Sequence, residues 1–263
     1  MTDAKPMVPV NPAGLDEVAK SLLEEYPDSP LFTSPVNANI RNPEAYLIMP
    51  GKTYGNYSYP DLLVAMERTN LGSNWNQSHE ALHQEDSFML SIRQYIDFLQ
   101  LLKSENVYDG KGAKLTKGRV NKILDEILTK RGPWRAEWLD AYFKNVNGVL
   151  HINYEHRNVN GQLKPQRNEP LEDCVMKDAY VNLFSANRQG LPTVNNAYVN
   201  LLSANRQGLP TVKSRAQEIY YWHPVNGSLA WFRADSRWVA LVAVRVPTDS
   251  SPSLGVRAAK IKM

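Results

Sequence analysis

Residues 229–246 read LAWFRADSRWVALVAVRV, and their alternation decides the fold class. In Leu229 to Ala234, Ala230, Phe232 and Ala234 alternate with Trp231 and Arg233. From Arg237 to Val246, Val239, Leu241 and Ala243 alternate with Trp238, Ala240, Val242 and Val244. A period of two puts successive side chains on opposite faces of a strand. With the small and aliphatic set on the core, the other face carries Trp231, Arg233, Asp235, Trp238, Val242 and Val244. Aromatic, Arg and aliphatic groups on a rigid sheet compose a protein-binding surface. The same pattern fits a second buried layer under the N-terminal helices equally well.

Outward from this stretch, further strands are expected at Glu218 to Trp222 and Leu254 to Ile261. Upstream, Ala141-Tyr142-Phe143-Lys144 and Val149 to Tyr154 flank Asn147-Gly148, a strong hairpin signal. Earlier still the period lengthens. Leu82, Met89, Ile92, Ile96, Leu99 and Leu102 recur at helical steps, which predicts one long helix from Ser78 to Lys103. A hydrophilic loop, Tyr108 to Gly112, precedes a helix over Lys117 to Lys130 that Gly132-Pro133 ends. Pro60-Asp61 opens a short helix through Arg68, and Ala45 to Met49 reads as a first strand. Residues 1–35 hold six of the seventeen prolines and read as an extended arm with one short helix, Leu15 to Glu25. Helices first and short antiparallel strands last make an α+β chain, with 36–263 as a single domain.

One repeat interrupts this plan. Residues 177–194 and 195–212 are identical at fifteen of eighteen positions. Each copy reads as a short helix stopped by Gly190 or Gly208, the mark of a tandem duplication in a loop-rich insertion.

The chain carries 263 residues with a net charge of +3, too small to imply a nucleic-acid partner by itself. From Lys213 to Met263, eight Lys/Arg face three acids, a local +5. No run of about 18 apolar residues spans a membrane, and no secretory signal opens the sequence. A soluble protein, cytoplasmic or virion-associated, is expected. The single Cys174 excludes an internal disulfide and lies beside Glu172 and Asp173, which raise a thiol's pKa. No nucleophile elbow or Walker sequence is present. His79-Glu80-Ala81-Leu82-His83 matches HExxH, whose histidines can share a zinc while the glutamate activates water. Its expected position in the first helical turn, with Ser78 as a cap, favours a solvated helix start over a metal site.

The chain closes with Pro252-Ser253-Leu254-Gly255-Val256-Arg257-Ala258-Ala259-Lys260, after Trp231-Phe232-Arg233-Ala234-Asp235-Ser236-Arg237 and Val244-Arg245-Val246-Pro247. This region resembles the C-terminal part of C-type-lectin-fold variable proteins from diversity-generating retroelements, particularly those of archaea and their viruses. The resemblance is specific over Glu218 to Met263 and looser from Trp138. It implies the formylglycine-generating-enzyme-like variant of the C-type lectin fold, with a variable segment at about 229–253 ahead of a closing strand. By position, the ligand-contacting candidates are Trp231, Arg233, Asp235, Arg237, Trp238, Ala240, Val242, Val244, Val246, Thr248, Asp249 and Ser250. The family's adenine-directed mutation of AAY codons cannot produce Trp, so Trp231 and Trp238 are expected to be fixed or differently encoded. Calcium-lectin triplets are absent, and one cysteine cannot supply the paired active-site thiols of formylglycine-generating enzymes. The resemblance therefore implies a non-enzymatic binder of a protein or surface ligand, without cofactor, metal, nucleic acid or membrane insertion. The alternatives are a zinc hydrolase built on His79, Glu80 and His83, and a nucleic-acid module using the basic C-terminal region.

Overall fold

Two larger sheets and a two-stranded one, in which β2 pairs with β3, organise the described residues. The computed structural model describes residues 42–104, 106–174, 197–199, 204–211 and 219–263. In chain order the strands and helices begin with β1 (Tyr46–Met49), β2 (Lys52–Tyr54), β3 (Tyr57–Tyr59) and β4 (Leu62–Ala65). There follow α1 (Trp75–Gln84), β5 (Phe88–Met89), α2 (Ile92–Lys103) and α3 (Lys117–Leu128). The long strands β6 (Arg135–Val146), β7 (Val149–Val159) and β8 (Gln162–Pro170) come next, then β9 (Ala197–Val199) and β10 (Ile219–Trp222). Last stand β11 (Ser228–Ala234), β12 (Val239–Arg245), β13 (Leu254–Val256) and β14 (Ala258–Ile261). The smaller sheet has the order β1-β4-β14-β5, and the larger runs β8-β7-β6-β11-β12-β10-β9 with β13 alongside β6. This is α+β architecture, and Asn42–Lys262 form one unit. The Pro-rich arm at 1–35, with its helix Leu15 to Glu25, lies outside the described residues.

The turn chemistry behaves as the sequence dictates. Asn147 and Gly148 both take positive φ, 51° and 84°, the mirror-image turn that suits a twisted hairpin. Val146 pairs with Val149 across it. Thr116 caps α3 by accepting from the Arg119 N–H. The inward set of the C-terminal strands also falls as expected: Ala230, Phe232, Ala234, Val239, Leu241 and Ala243 join the main core with Ile96, Phe98 and Ile123.

Three helical expectations are overturned. The long helix is two: α1 is capped by Asn74 in a box with Gln77, and α2 by Ser91 in a box with Gln94. Between them β5 pairs with β14. The Ser91 and Gln94 signal lay inside an apolar periodicity that ran on past it. The segment after Pro60 is strand β4, not helix, because Leu62, Leu63 and Val64 are buried between β1 and β14. Tertiary pairing there overrides the proline preference. In the second repeat copy, β9 pairs with β10 instead of forming a helix. The copy's Gly208 (φ +84°) sits against α2, where a Cβ would come within 2.4 Å of the Arg93 backbone nitrogen, so only glycine fits. The first copy, with Gly190, lies outside the described residues.

Arg257 locks the two sheets together. Fully buried, it donates from Nε to Glu137 Oε2 at 3.0 Å and from Nη2 to Oε1 at 2.7 Å. Its Nη1 donates to the carbonyls of Ala65, at 2.8 Å, and Met66. Arg135 pairs with the same Glu137. Burial opposes ionisation of Glu137, yet the two guanidiniums outweigh it and hold the carboxyl down at about 2. The arginine of Leu254-Gly255-Val256-Arg257 thus ties the terminal strands to β6 and β4.

Candidate functional site

Cross-strand register fixes which side chains share the second face of the large sheet. Trp231 stands opposite Trp138 on β6 and Val242 on β12, and Trp222 on β10 extends that row. Arg233 stands between Ala136 and Ala240, with Tyr220 beyond. The middle of the first row is sealed: Trp231 is 4% exposed and Trp138 and Val242 are buried, as is Ala240 in the second row, and Trp75 and Leu82 from α1 pack with them beside Leu254 and Val256 of β13. The Trp231 ring packs 5.5 Å from Trp138 and 5.7 Å from Trp134, and the Arg245 guanidinium lies 4.3 Å over it. Trp231, Ala240 and Val242, expected on display, are therefore interior. Half of the face is the second buried layer that the alternation equally allowed.

The other end of the same face is open. Arg233 and Trp238 are half-buried and Ser236 and Arg237 exposed. With Trp134 and Arg131 they line a groove of about 280 Å³. The turn beneath it is built by Asp235, which is buried and accepts backbone N–H bonds from Arg237 at 2.7 Å and Trp238 at 3.0 Å. Burial opposes ionisation of Asp235, but these bonds and the Arg233 ion pair keep its carboxyl below the usual range. Asp235 is thus a shaping residue, while Arg233, Arg237 and Trp238 present their groups. Tyr220 stacks on Trp238 at 5.0 Å and 13°, and Trp222 meets it edge-on at 5.6 Å. Aromatic planes flanked by guanidiniums make a surface for flat or anionic groups.

The remaining candidates lie elsewhere. Val244 is half-buried, and Val246, Thr248 and Ser250 are exposed around a turn held by the Arg245–Asp249 ion pair at 2.6 Å. The whole of β12 separates that turn from the groove, roughly 20 Å of extended chain. Trp134 and Arg131 were not legible as groove residues, since both border Gly132-Pro133 and read only as a helix end.

A second constellation forms where α1 meets β6 and β7. His79 is buried, one turn into α1, and packs edge-on to Trp75 at 4.3 Å. The expected solvated helix start is overturned for His79 and Ser78, because α1 begins at Trp75 and both residues turn inward. Glu80, by contrast, is exposed. His156 Nδ1 donates to Asp140 Oδ1 at 2.5 Å, and the His156 backbone N–H donates to Oδ2 at 2.9 Å. His79 Nε2 lies 3.6 Å from Asp140 Oδ1. Burial holds the His79 imidazolium down to a pKa of about 4, so the ring is neutral at pH 7. Burial also opposes ionisation of Asp140, but the His79 and His156 rings and the two His156 bonds outweigh it, and its carboxyl stays below the usual range. A cavity of about 220 Å³ reaches Asp140 and His156 past Tyr59 and Glu155. Glu155 takes φ +56°, a strained conformation for its type, where the β6–β7 ladder has ended at Asn153.

Of the HExxH residues, His79 is buried, Glu80 faces solvent, and the half-buried His83 ring lies 5.8 Å from that of His79. Among the described residues, no helix is long and apolar enough to cross a membrane. No family model, curated protein or solved structure matches the chain.

Proposed function

We propose that the protein is a non-enzymatic binder on a C-type-lectin-type scaffold, which engages a protein or surface ligand through the groove at Arg233, Arg237 and Trp238. The single observation that carries this reading is the convergence of these residues with Trp134 in one open groove, on the sheet that the variable segment builds. By the resemblance the terminal strand would pair near an N-terminal strand, and the pairing of β14 with the early strand β4 supports that scaffold. Three arginines line the groove against one acid, Asp235, which pairs with Arg233, so Arg131 and Arg237 leave the surface net positive and suited to an acidic partner.

Sequencing the locus tests the diversified character of this face. A reverse-transcriptase gene and an adenine-rich template repeat matching codons 231–250 are expected nearby. Template differences are expected at the codons of exposed residues such as Ser236, Arg237, Thr248 and Ser250, and not at Ala240 or Val242. A locus with neither gene nor repeat overturns the reading.

A further inference from the structure

We propose that His79, Asp140 and His156 form a binding site for one divalent transition-metal ion of the zinc class, joining α1 to the β6–β7 hairpin. Two imidazoles and a carboxylate each offer one ligand atom, and the three atoms lie within 4.8 Å of one another. All three side chains are buried. A zinc ion with bonds of 2.0–2.2 Å keeps tetrahedral ligand atoms roughly 3.3 Å apart. The separations of 2.5 Å (His156 to Asp140) and 3.6 Å (His79 to Asp140) bracket that span. On binding, the ion takes the place of the proton between His156 and Asp140, and that proton leaves to solvent.

A second observation points to a ligand independently. Neither ring nitrogen of His79 has a hydrogen-bond partner among the described residues, although the ring is 1% exposed. A buried histidine ordinarily satisfies at least one nitrogen, yet His79 Nε2, aimed at Asp140, stops 3.6 Å from its Oδ1, beyond a hydrogen bond and near the spacing of two ligands on one ion. The ring is also held in place for the task. Trp75 walls both histidines, at 4.3 and 4.9 Å, and its indole N–H is anchored on the Leu139 carbonyl at 3.1 Å. Nitrogen and carboxylate donors without sulfur select zinc, iron, cobalt or nickel over calcium or magnesium. The cavity beside Asp140 and His156 supplies a route for the ion. The ligands differ from those of an HExxH enzyme: Glu80 takes no part, and the second imidazole comes from β7, 77 residues beyond the first. His83, with its ring centroid 5.8 Å from that of His79, stands outside the set of three.

The test uses the full-length, tag-free chain, stripped with chelator and titrated with Zn²⁺ by calorimetry and with Co²⁺ by visible absorption. One equivalent of each is expected, with d–d bands for cobalt. His79→Gln and Asp140→Asn are each expected to weaken Zn²⁺ binding by roughly 100-fold or more, since even outer-shell changes cost 10–100-fold. Glu80→Gln should leave binding unchanged. Circular dichroism checks that each variant is folded. X-ray absorption of the zinc-loaded wild type decides the matter if a variant does not fold: two imidazoles and oxygen are expected. Absence of stoichiometric binding to folded wild type, full binding by folded His79→Gln, or a zinc shell without two imidazoles overturns the proposal.

Discussion

Trp231 and Trp238 lie on one face of one sheet and behave oppositely. Trp231 is enclosed by Trp134, Trp138 and the Arg245 guanidinium in a buried cluster with Trp75, Leu82, Leu254 and Val256. Trp238, next to the 235–238 turn, keeps part of its ring open beside Arg233 and Arg237. The difference arises in the terminal segment. β13 extends the sheet beside β6, and its Leu254 and Val256 join Trp75 and Leu82 of α1 in the cluster that buries Trp231, whereas Trp238 is met by Tyr220 and Trp222 of the neighbouring strand and stays half-buried. Alternation assigns a side chain to a face, and burial then depends on what the rest of the chain lays over that face.

The largest break in this comparison should come from the closed end. Trp231→Ala removes a buried indole and leaves a cavity, and is expected to cost about 3–5 kcal/mol, measured by urea unfolding. An equal cost for Trp238→Ala would erase the distinction between the two ends.

Acid should next loosen the Arg257–Glu137 tie between the terminal strands and β6. Glu137 has a folded pKa of about 2 against an ordinary 4.5, so it is ionised in the native state well below the pH at which the unfolded chain takes up its proton. Its contribution is complete above pH 4.5 and is lost as pH falls toward 2, on the order of 3 kcal/mol. Unfolding free energies from pH 6 to 3 check this, and Glu137→Gln should flatten that part of the profile. An unchanged slope in the variant would remove Glu137 from the account.

A somewhat smaller effect is expected from zinc. At a hundredfold excess over its dissociation constant, Zn²⁺ should stabilise the protein by about 2.7 kcal/mol, seen as a rise in Tm that His79→Gln abolishes. The smallest effect belongs to the open end. Arg237→Ala, at an exposed position, should change stability by no more than about 0.5 kcal/mol while weakening ligand capture.

Much of the frame was legible. The period-two segments and the Asn147-Gly148 turn act through local chemistry, and each was found where the sequence put it. The misread segments share one cause. Leu62 to Ala65 and the interruption of the long helix at Phe88 depend on β14, which lies far from both partners in sequence, as in Ala259 with Val64 and Ala258 with Met89. His79 was visible as half of an HExxH, but its actual partners come from a hairpin. The turn at Asn147-Gly148 brings Asp140 and His156 to the same end of that hairpin, and this register was the one available signal. The groove was legible in Arg233, Arg237 and Trp238. Its far wall, Trp134, carried no pattern of its own.

A deep mutational scan of residues 229–253, read out as retention of fold by protease resistance, tests the central claim most directly. The account predicts intolerance at Trp231, Ala240 and Val242 and broad tolerance at Ser236, Arg237, Val246, Thr248 and Ser250. Equal tolerance across both groups would contradict the division of this face into a sealed layer and a displayed one.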